Sequence, residues 1–348
     1  MTTSEKLVIG FYGNGKSTNR YHMPFVDSRS EKIRVKTIYE RKLGSSGWSN
    51  IPGVYYTDKV EELLADPEIQ VVVAPLPPEA HYEVAKQIIE AGKHCVMEKP
   101  FTQTLAQAQE LFDLAKEKGV MIQCYQNRRF DSDFLTVQKV IESGKLGKIQ
   151  EVEMHFDYFR PEVPLNTHTF ERSQSYLYNH ACHTLDQVIS YFGEPDRVHY
   201  DVRQLLGSDR MNDYFDLDLY FGHEADTLKV SVKSSFFRIK ERPSFVVYGT
   251  KGMFIKEFKD RQEADLKKFY LPDHEDFGVD LPEHYGTLTY VDDAGNYHEE
   301  KVVSEQGDYA RYYDALYETI MHGKAPLVTP EQTILQMAML EEGIKGLK

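Results

Sequence analysis

The chain has 348 residues, with 41 Lys plus Arg against 55 Asp plus Glu and a formal net charge of −14, a balance that argues against nucleic acid as a ligand because duplex binding relies on basic residues neutralising phosphates. Its three cysteines, Cys95, Cys124 and Cys182, are too few to staple a fold of this size, so disulfides are not expected and a reducing, cytoplasmic setting is. No basic segment followed by a long apolar one opens the chain, and no apolar run approaches the roughly 20 residues that cross a bilayer, so neither a secretory signal nor a membrane partner is expected.

From Lys6 to about Tyr125, β-branched runs at Lys6–Tyr12, Ile33–Tyr39, Gln70–Ala74, His94–Met97 and Val120–Cys124 alternate with segments of helical period. Nearly continuous apolar runs suit strands covered on both faces, and the alternation predicts a doubly wound α/β architecture with a parallel sheet. Glu79–Ala91 carries Tyr82, Ala85, Ile88 and Ile89 at helical spacing and stops at Gly92, and Thr104–Lys118 repeats the pattern and stops at Gly119. Beyond Gln126 the rhythm changes to longer alternating runs, Ile149–Tyr158, Tyr214–Phe221, Leu228–Phe237 and Phe245–Gly249, which read as an antiparallel sheet open on one face. Helices are expected at His180–Phe192, Tyr309–His322 and Pro330–Gly346.

The first turn has two spellings. Gly10 to Ser17 satisfies G-x-x-x-x-G-K-[ST], a phosphate-binding loop, while Gly13-x-Gly15-x-x-Thr18 is a dinucleotide fingerprint with its third glycine replaced. No later strand ends in an aspartate suited to magnesium, whereas Glu40 follows the second strand at the distance where an acid holds ribose hydroxyls. That favours a dinucleotide, with Gly13, Asn14, Gly15, Ser17 and Thr18 around the pyrophosphate. Glu40 opposes a 2′-phosphate and Arg41 and Lys42 attract one, which leans to NAD and leaves NADP open. A phosphotransferase is the lesser alternative.

The stretch Ala74-Pro75-Leu76-Pro77-Pro78-Glu79-Ala80-His81 and the later Ala91-Gly92-Lys93-His94-Cys95-Val96-Met97-Glu98-Lys99-Pro100 resemble the family of glucose-fructose oxidoreductase, inositol dehydrogenase and MocA. Matches continue at Asn127-Arg128-Arg129-Phe130, Phe156-Asp157-Tyr158-Phe159-Arg160 and His183-Thr184-Leu185-Asp186-Gln187, and on to Tyr313-Asp314-Ala315-Leu316. The resemblance implies a Rossmann domain over residues 1–126 and an α/β domain with a large, mostly antiparallel open sheet over 127–348, its C-terminal helices free to pack back on the first domain. It further implies NAD(P)-linked hydride transfer at a hydroxyl-bearing carbon of a sugar, polyol or related small molecule. Homodimers or homotetramers would form through the open sheet. Lys99 matches the family's lysine and His183 the histidine of its second motif, and an unusual turn, such as a cis proline, is expected at Lys99-Pro100.

A base must take the hydroxyl proton, a task suited to His183, and Lys99 at the end of a strand would steady the negative charge developing on oxygen. Glu98 would position that amine. Asn179 stands where the family commonly has an aspartate, and an amide neither takes a proton nor holds an imidazolium by charge; a catalytically weak nucleotide-binding paralogue is therefore the alternative function. Asn179, Arg160, Tyr158 and Asp186 are expected at the substrate, and Pro75, Leu76, His81, Arg128 and, more loosely, His22 near the cofactor. His180, His183 and Asp186 fall on one helical face, but the pattern is loose and no metal is expected. The Tyr309-Ala310-Arg311-Tyr312-Tyr313 run is expected to pack a helix, and Cys182 to be buried.

Overall fold

The computed structural model describes residues 6–223 and 227–347. It divides into two compact units, one comprising the chain through Asn127 with Ala264–Glu275 and Tyr309–Met337, the other Arg128–Glu263, Asp276–Asp308 and the chain from Ala338. Among the described residues no helix is long and apolar enough to cross a membrane.

In the first unit, β1 (Leu7–Tyr12), β2 (Ile33–Tyr39), β3 (Tyr55–Thr57), β4 (Val71–Ala74), β5 (His94–Met97) and β6 (Ile122–Cys124) form a sheet in the order β3-β2-β1-β4-β5-β6. Every pairing is parallel. All four residues of β4 are buried, which is why the strand is written as an unbroken apolar run. This is the strand order of dinucleotide-binding doubly wound sheets, and its direction reverses between β1 and β4, so a crevice opens at their carboxyl ends. The helix His81–Glu90 starts after a 3-10 turn at Pro78–Ala80. The helix Leu105–Lys118 is fixed at both ends. Thr104 and Gln107 cap it reciprocally, and Gly119 leaves it at φ 68°. The helix Ala310–His322 belongs to the same unit: Asp314 accepts from Arg29 Nε and Lys32 Nζ, each at 2.9 Å, and Tyr312 Oη donates to the Cys124 carbonyl at 3.1 Å. The tyrosine run is thus a packing face, as expected.

In the second unit, β7 (Ile149–His155), β8 (Arg197–Arg203), β9 (Tyr214–Phe221), β10 (Leu228–Ser235), β11 (Phe245–Gly249), β12 (Gly252–Lys256), β13 (Gly286–Val291) and β14 (Tyr297–Val302) form one sheet in the order β14-β13-β12-β11-β7-β10-β9-β8. Its pairings are antiparallel except β7 with β10. β7 stops before Tyr158 because Asp157 turns aside, accepting from Ser235 N at 3.2 Å and from Arg242 Nε and Nη2 at 2.8 and 2.9 Å. The pair Lys256 and Asp280 is buried, yet it is fully satisfied. Lys256 Nζ also donates to the Phe258 and His284 carbonyls, and Asp280 accepts from Ser304 Oγ at 2.7 Å.

The helix expected from His180 differs in its first turn. Leu177–Ala181 is a π turn and the α-helix runs Cys182–Phe192. A second π segment, Ser17–His22, follows the glycine loop and leads into the helix Met23–Asp27. Both carry residues the sequence singles out, in keeping with the frequency of π bulges at functional sites.

Candidate active site

The glycine loop leaves β1 at Gly13, whose φ of 133° suits a residue without a side chain. A Cβ there would approach Leu76 Cδ2 at 3.4 Å and the Pro75 carbonyl at 3.7 Å, whereas one at Gly15 would meet nothing within 4 Å. Open space thus lies over the loop where the chain ends of β1 and β4 face each other. That cradle fits the pyrophosphate of a dinucleotide. Gly10 lies inside β1, where a Cβ would collide with Leu63 Cδ1; it is a packing glycine and no part of a phosphate loop.

Most side chains expected on the cofactor are hydrogen-bonded within the protein. Thr18, fully buried at the place of the third glycine, donates to the Gly13 carbonyl at 2.7 Å. Asn19 Nδ2 donates to Asn14 Oδ1 at 2.9 Å, and Asn14 Nδ2 donates to Glu40 Oε2 at 3.1 Å and Ser46 Oγ at 3.0 Å. Glu40 Oε1 accepts from Ser46 N at 2.6 Å and Ser45 Oγ at 3.2 Å. Burial alone would raise the Glu40 carboxyl, but these donors outweigh it and hold it below the ordinary value. Glu40 therefore clamps the 41–46 loop to the glycine loop, while Ser17 is half-buried and Arg41 exposed. The serines were not anticipated, and only their closeness to Glu40 in sequence hinted at them.

His81 is held in the same way. Its ring is fully buried, with Nδ1 2.8 Å from the Pro100 carbonyl and Nε2 2.9 Å from the Leu76 carbonyl, so no ring nitrogen is left for a cofactor. It braces the turn after β4, where Pro75 is buried and Leu76 half-buried, against the turn after β5. That second turn is Glu98-Lys99-Pro100, and the Lys99–Pro100 peptide is cis.

Glu98 accepts from Lys99 N at 3.1 Å and from His22 Nε2 at 3.0 Å, and His22 Nδ1 lies 2.6 Å from Tyr313 Oη. A carboxylate only accepts, so the neutral ring that satisfies both contacts carries its proton on Nε2 and accepts from the tyrosine. Burial would raise the Glu98 carboxyl. The His22 contact and the Lys99 ammonium overcome that and lower it. Burial raises the Tyr313 phenol well above its usual value, keeping it a donor. Tyr313 supports the site through His22, whereas the sequence placed it only in a run expected to pack a helix. Lys99 itself is half-buried, and among the described residues no carboxylate pairs with its Nζ.

In the second unit His183 sits half-buried on the first turn of the helix Cys182–Phe192, beside the fully buried Cys182. His180 does not share its role. The π turn seats it against Tyr176, Tyr158 and Phe236, with ring centroids 4.4, 5.3 and 5.8 Å away. Arg160 and Lys259 place their charges 4.7 and 5.0 Å from the Tyr158 ring centre. Asn179 Nδ2 donates to the Ser173 and Ser175 carbonyls at 2.9 and 3.0 Å. Asp186 is buried and holds Arg129 through two bonds of 2.8 and 2.7 Å. Arg128, expected on the cofactor, is paired with Asp131 and Glu263. Among the described residues no group of three or more histidine, cysteine or carboxylate side chains is arranged to hold a metal.

Comparison with known proteins matches residues 7–126 to the oxidoreductase family, NAD-binding Rossmann fold, and residues 138–346 to the oxidoreductase family, C-terminal alpha/beta domain. The chain is 44% identical over 336 residues to the uncharacterized oxidoreductase YhhX of Escherichia coli (strain K12), covering 96% of this chain and 95% of that one. It is 32% identical over 349 residues to scyllo-inositol 2-dehydrogenase (NADP(+)) IolW of Bacillus subtilis (strain 168), covering 99% and 94%. Among solved structures, an oxidoreductase from Bacillus cereus superposes with a TM-score of 0.91 at 42% identity, over 99% of this chain and 97% of that one. With the parallel sheet, the glycine cradle and both halves of the chain matched, this protein belongs to the Gfo/Idh/MocA oxidoreductase family and carries its NAD-binding Rossmann domain.

Proposed function

We propose that the protein is an NAD(P)-dependent dehydrogenase or reductase acting on a CH–OH group of a small sugar, polyol or related compound. The observation that carries the reading is the half-buried Lys99 just past the carboxyl end of β5, its backbone N–H bonded to a carboxylate that His22 and Tyr313 hold in place. Ligands of open α/β sheets bind at those strand ends. The similarity to a scyllo-inositol 2-dehydrogenase supports a polyhydroxylated substrate.

The nicotinamide, when bound, supplies the hydride acceptor or donor. Lys99 stabilises negative charge on the substrate oxygen as the carbonyl forms, and Glu98 fixes the Lys99 backbone through its N–H. His183 takes the hydroxyl proton. Tyr158 and Arg160 contact the substrate. Self-association through the open sheet, which light scattering would test, and work in the reducing cytoplasm, where the three buried thiols stay free, belong to the same proposal.

The test is reduction of NAD or NADP across a panel of inositols, sugars and polyols by the wild-type protein and by His183→Ala and Lys99→Ala. Each substitution is expected to lower turnover by about a hundredfold or more while leaving cofactor affinity within a few-fold. Turnover unchanged in His183→Ala removes the assignment. Asn179, its amide spent on backbone carbonyls, favours a second reading, a dinucleotide-binding protein with weak chemistry; tight cofactor binding without reduction of any panel member would select it.

A further inference from the structure

The segment Ala264–Glu275 belongs to the first unit although it is encoded between strands of the second. It ends its short helix in a turn, with Phe269 N donating to the Leu266 carbonyl and Tyr270 N to the Asp265 carbonyl. Phe269 takes φ 59°, the one non-glycine residue with positive φ among those described, and the residue is 56% exposed. A bulky residue in the left-handed region is strained, and its exposed ring gains nothing from the core in return.

Its neighbours are informative. Arg20, on the π segment after the glycine loop, sets its guanidinium 4.8 Å from the Phe269 ring centre, and Arg20 Nε is buried without a hydrogen-bond partner. Trp48 places its ring 6.2 Å from Phe269 at 52°, open enough that the two faces do not cover each other. Trp48 is anchored through its own N–H to Ser46 Oγ at 3.2 Å, and that oxygen accepts from Asn14 of the glycine loop. The clamp centred on Glu40 therefore continues into a half-open aromatic platform beside the loop that follows β2. In dinucleotide-binding sheets that loop meets the adenosine half of the cofactor.

We propose that Trp48 and Phe269, backed by Arg20, form the adenine-stacking site of this protein. Every purine presents a flat face that stacks on aromatic rings, and a guanidinium beside it suits the adjoining phosphates. The proposal rests on the dinucleotide reading, and it assigns to a segment from the second half of the chain the task of gripping the cofactor end remote from the chemistry.

Trp48 is the single tryptophan of the chain, so its fluorescence reports on this platform alone. Titration of the full chain with AMP is expected to quench that emission saturably, and nicotinamide mononucleotide is expected to leave it unchanged. By calorimetry, Phe269→Asn, which removes the ring but tolerates the left-handed backbone, is expected to weaken AMP and NADPH binding by about tenfold, with Phe269→Tyr close to wild type. Binding of NADPH by calorimetry with Trp48 unresponsive to AMP, or with Phe269→Asn binding as tightly as wild type, overturns the stacking site and leaves the cofactor reading standing. If no dinucleotide binds at all, both fall.

Discussion

Asn179 shows how one atom type decides what a position can be. Its amide nitrogen points between two carbonyl oxygens, at 2.9 and 3.0 Å, a place where a carboxylate would meet only other acceptors. Asn179→Asp is therefore expected to lower stability by about 1–3 kcal/mol, read from urea unfolding, because the new group is left facing oxygens it cannot bond. Stability equal to wild type would mean that the Ser173–Ser175 turn rearranges freely. The sequence showed the substitution without its reason, since Ser173 and Ser175 contribute through their carbonyls, which every residue type possesses. Glu40 illustrates the same limit from the other side. Its position after β2 was legible, but its engagement by Asn14, Ser45 and Ser46 depends on how the following loop folds back.

At the scale of elements, legibility followed burial. β1, β2, β4 and β5 are covered on both faces and announce themselves as apolar runs, and the helix Leu105–Lys118 displays its own boundaries in Thr104, Gln107 and Gly119. Thr104→Ala removes a side-chain oxygen that accepts from Gln107 N at 3.2 Å and is expected to cost about 1 kcal/mol, seen as a lowered melting temperature with cofactor affinity unchanged. The strands that went unseen lie toward sheet edges. β3 has three residues, and β14 reads Tyr-His-Glu-Glu-Lys-Val with no buried residue; neither has an apolar face for a sequence to display. β8, β12 and β13 are short or only partly buried for the same reason. The π turn at Leu177–Ala181 was also beyond reach, because one extra residue per turn leaves no mark on a pattern this short.

For the molecule as a whole, the balance of charge sets a pH dependence. Burial, and next the neighbouring Asp133 carboxylate, push Asp260 up to about 6 although it accepts from Ser132 N and Gln262 N at 2.7 Å each. The folded protein thus holds a proton that the unfolded chain releases near 3.8. The stabilisation is complete below that value and is lost as pH rises through about 6. The loss is on the order of 3 kcal/mol, and in Asp260→Asn the unfolding free energy should be flatter across this window; an identical slope in the variant would assign it to other groups. Asp157 works in the opposite sense. Burial would raise it, but the Arg242 bonds and charge outweigh that and hold it low, so its contribution is lost only in stronger acid.

The first unit also has a consequence for the order in which the protein is made. His22 meets Tyr313 across 291 positions, and Arg29, Lys32 and the Cys124 carbonyl likewise take partners from the helix Ala310–His322. On the ribosome the nucleotide-binding sheet emerges first, yet the tyrosine that hydrogen-bonds His22 arrives only near the end of synthesis. The half of the protein whose sheet is translated first is thus completed only when residues 309–337 have been made, and through that interval His22, Arg29 and Lys32 wait for partners encoded near the far end of the chain.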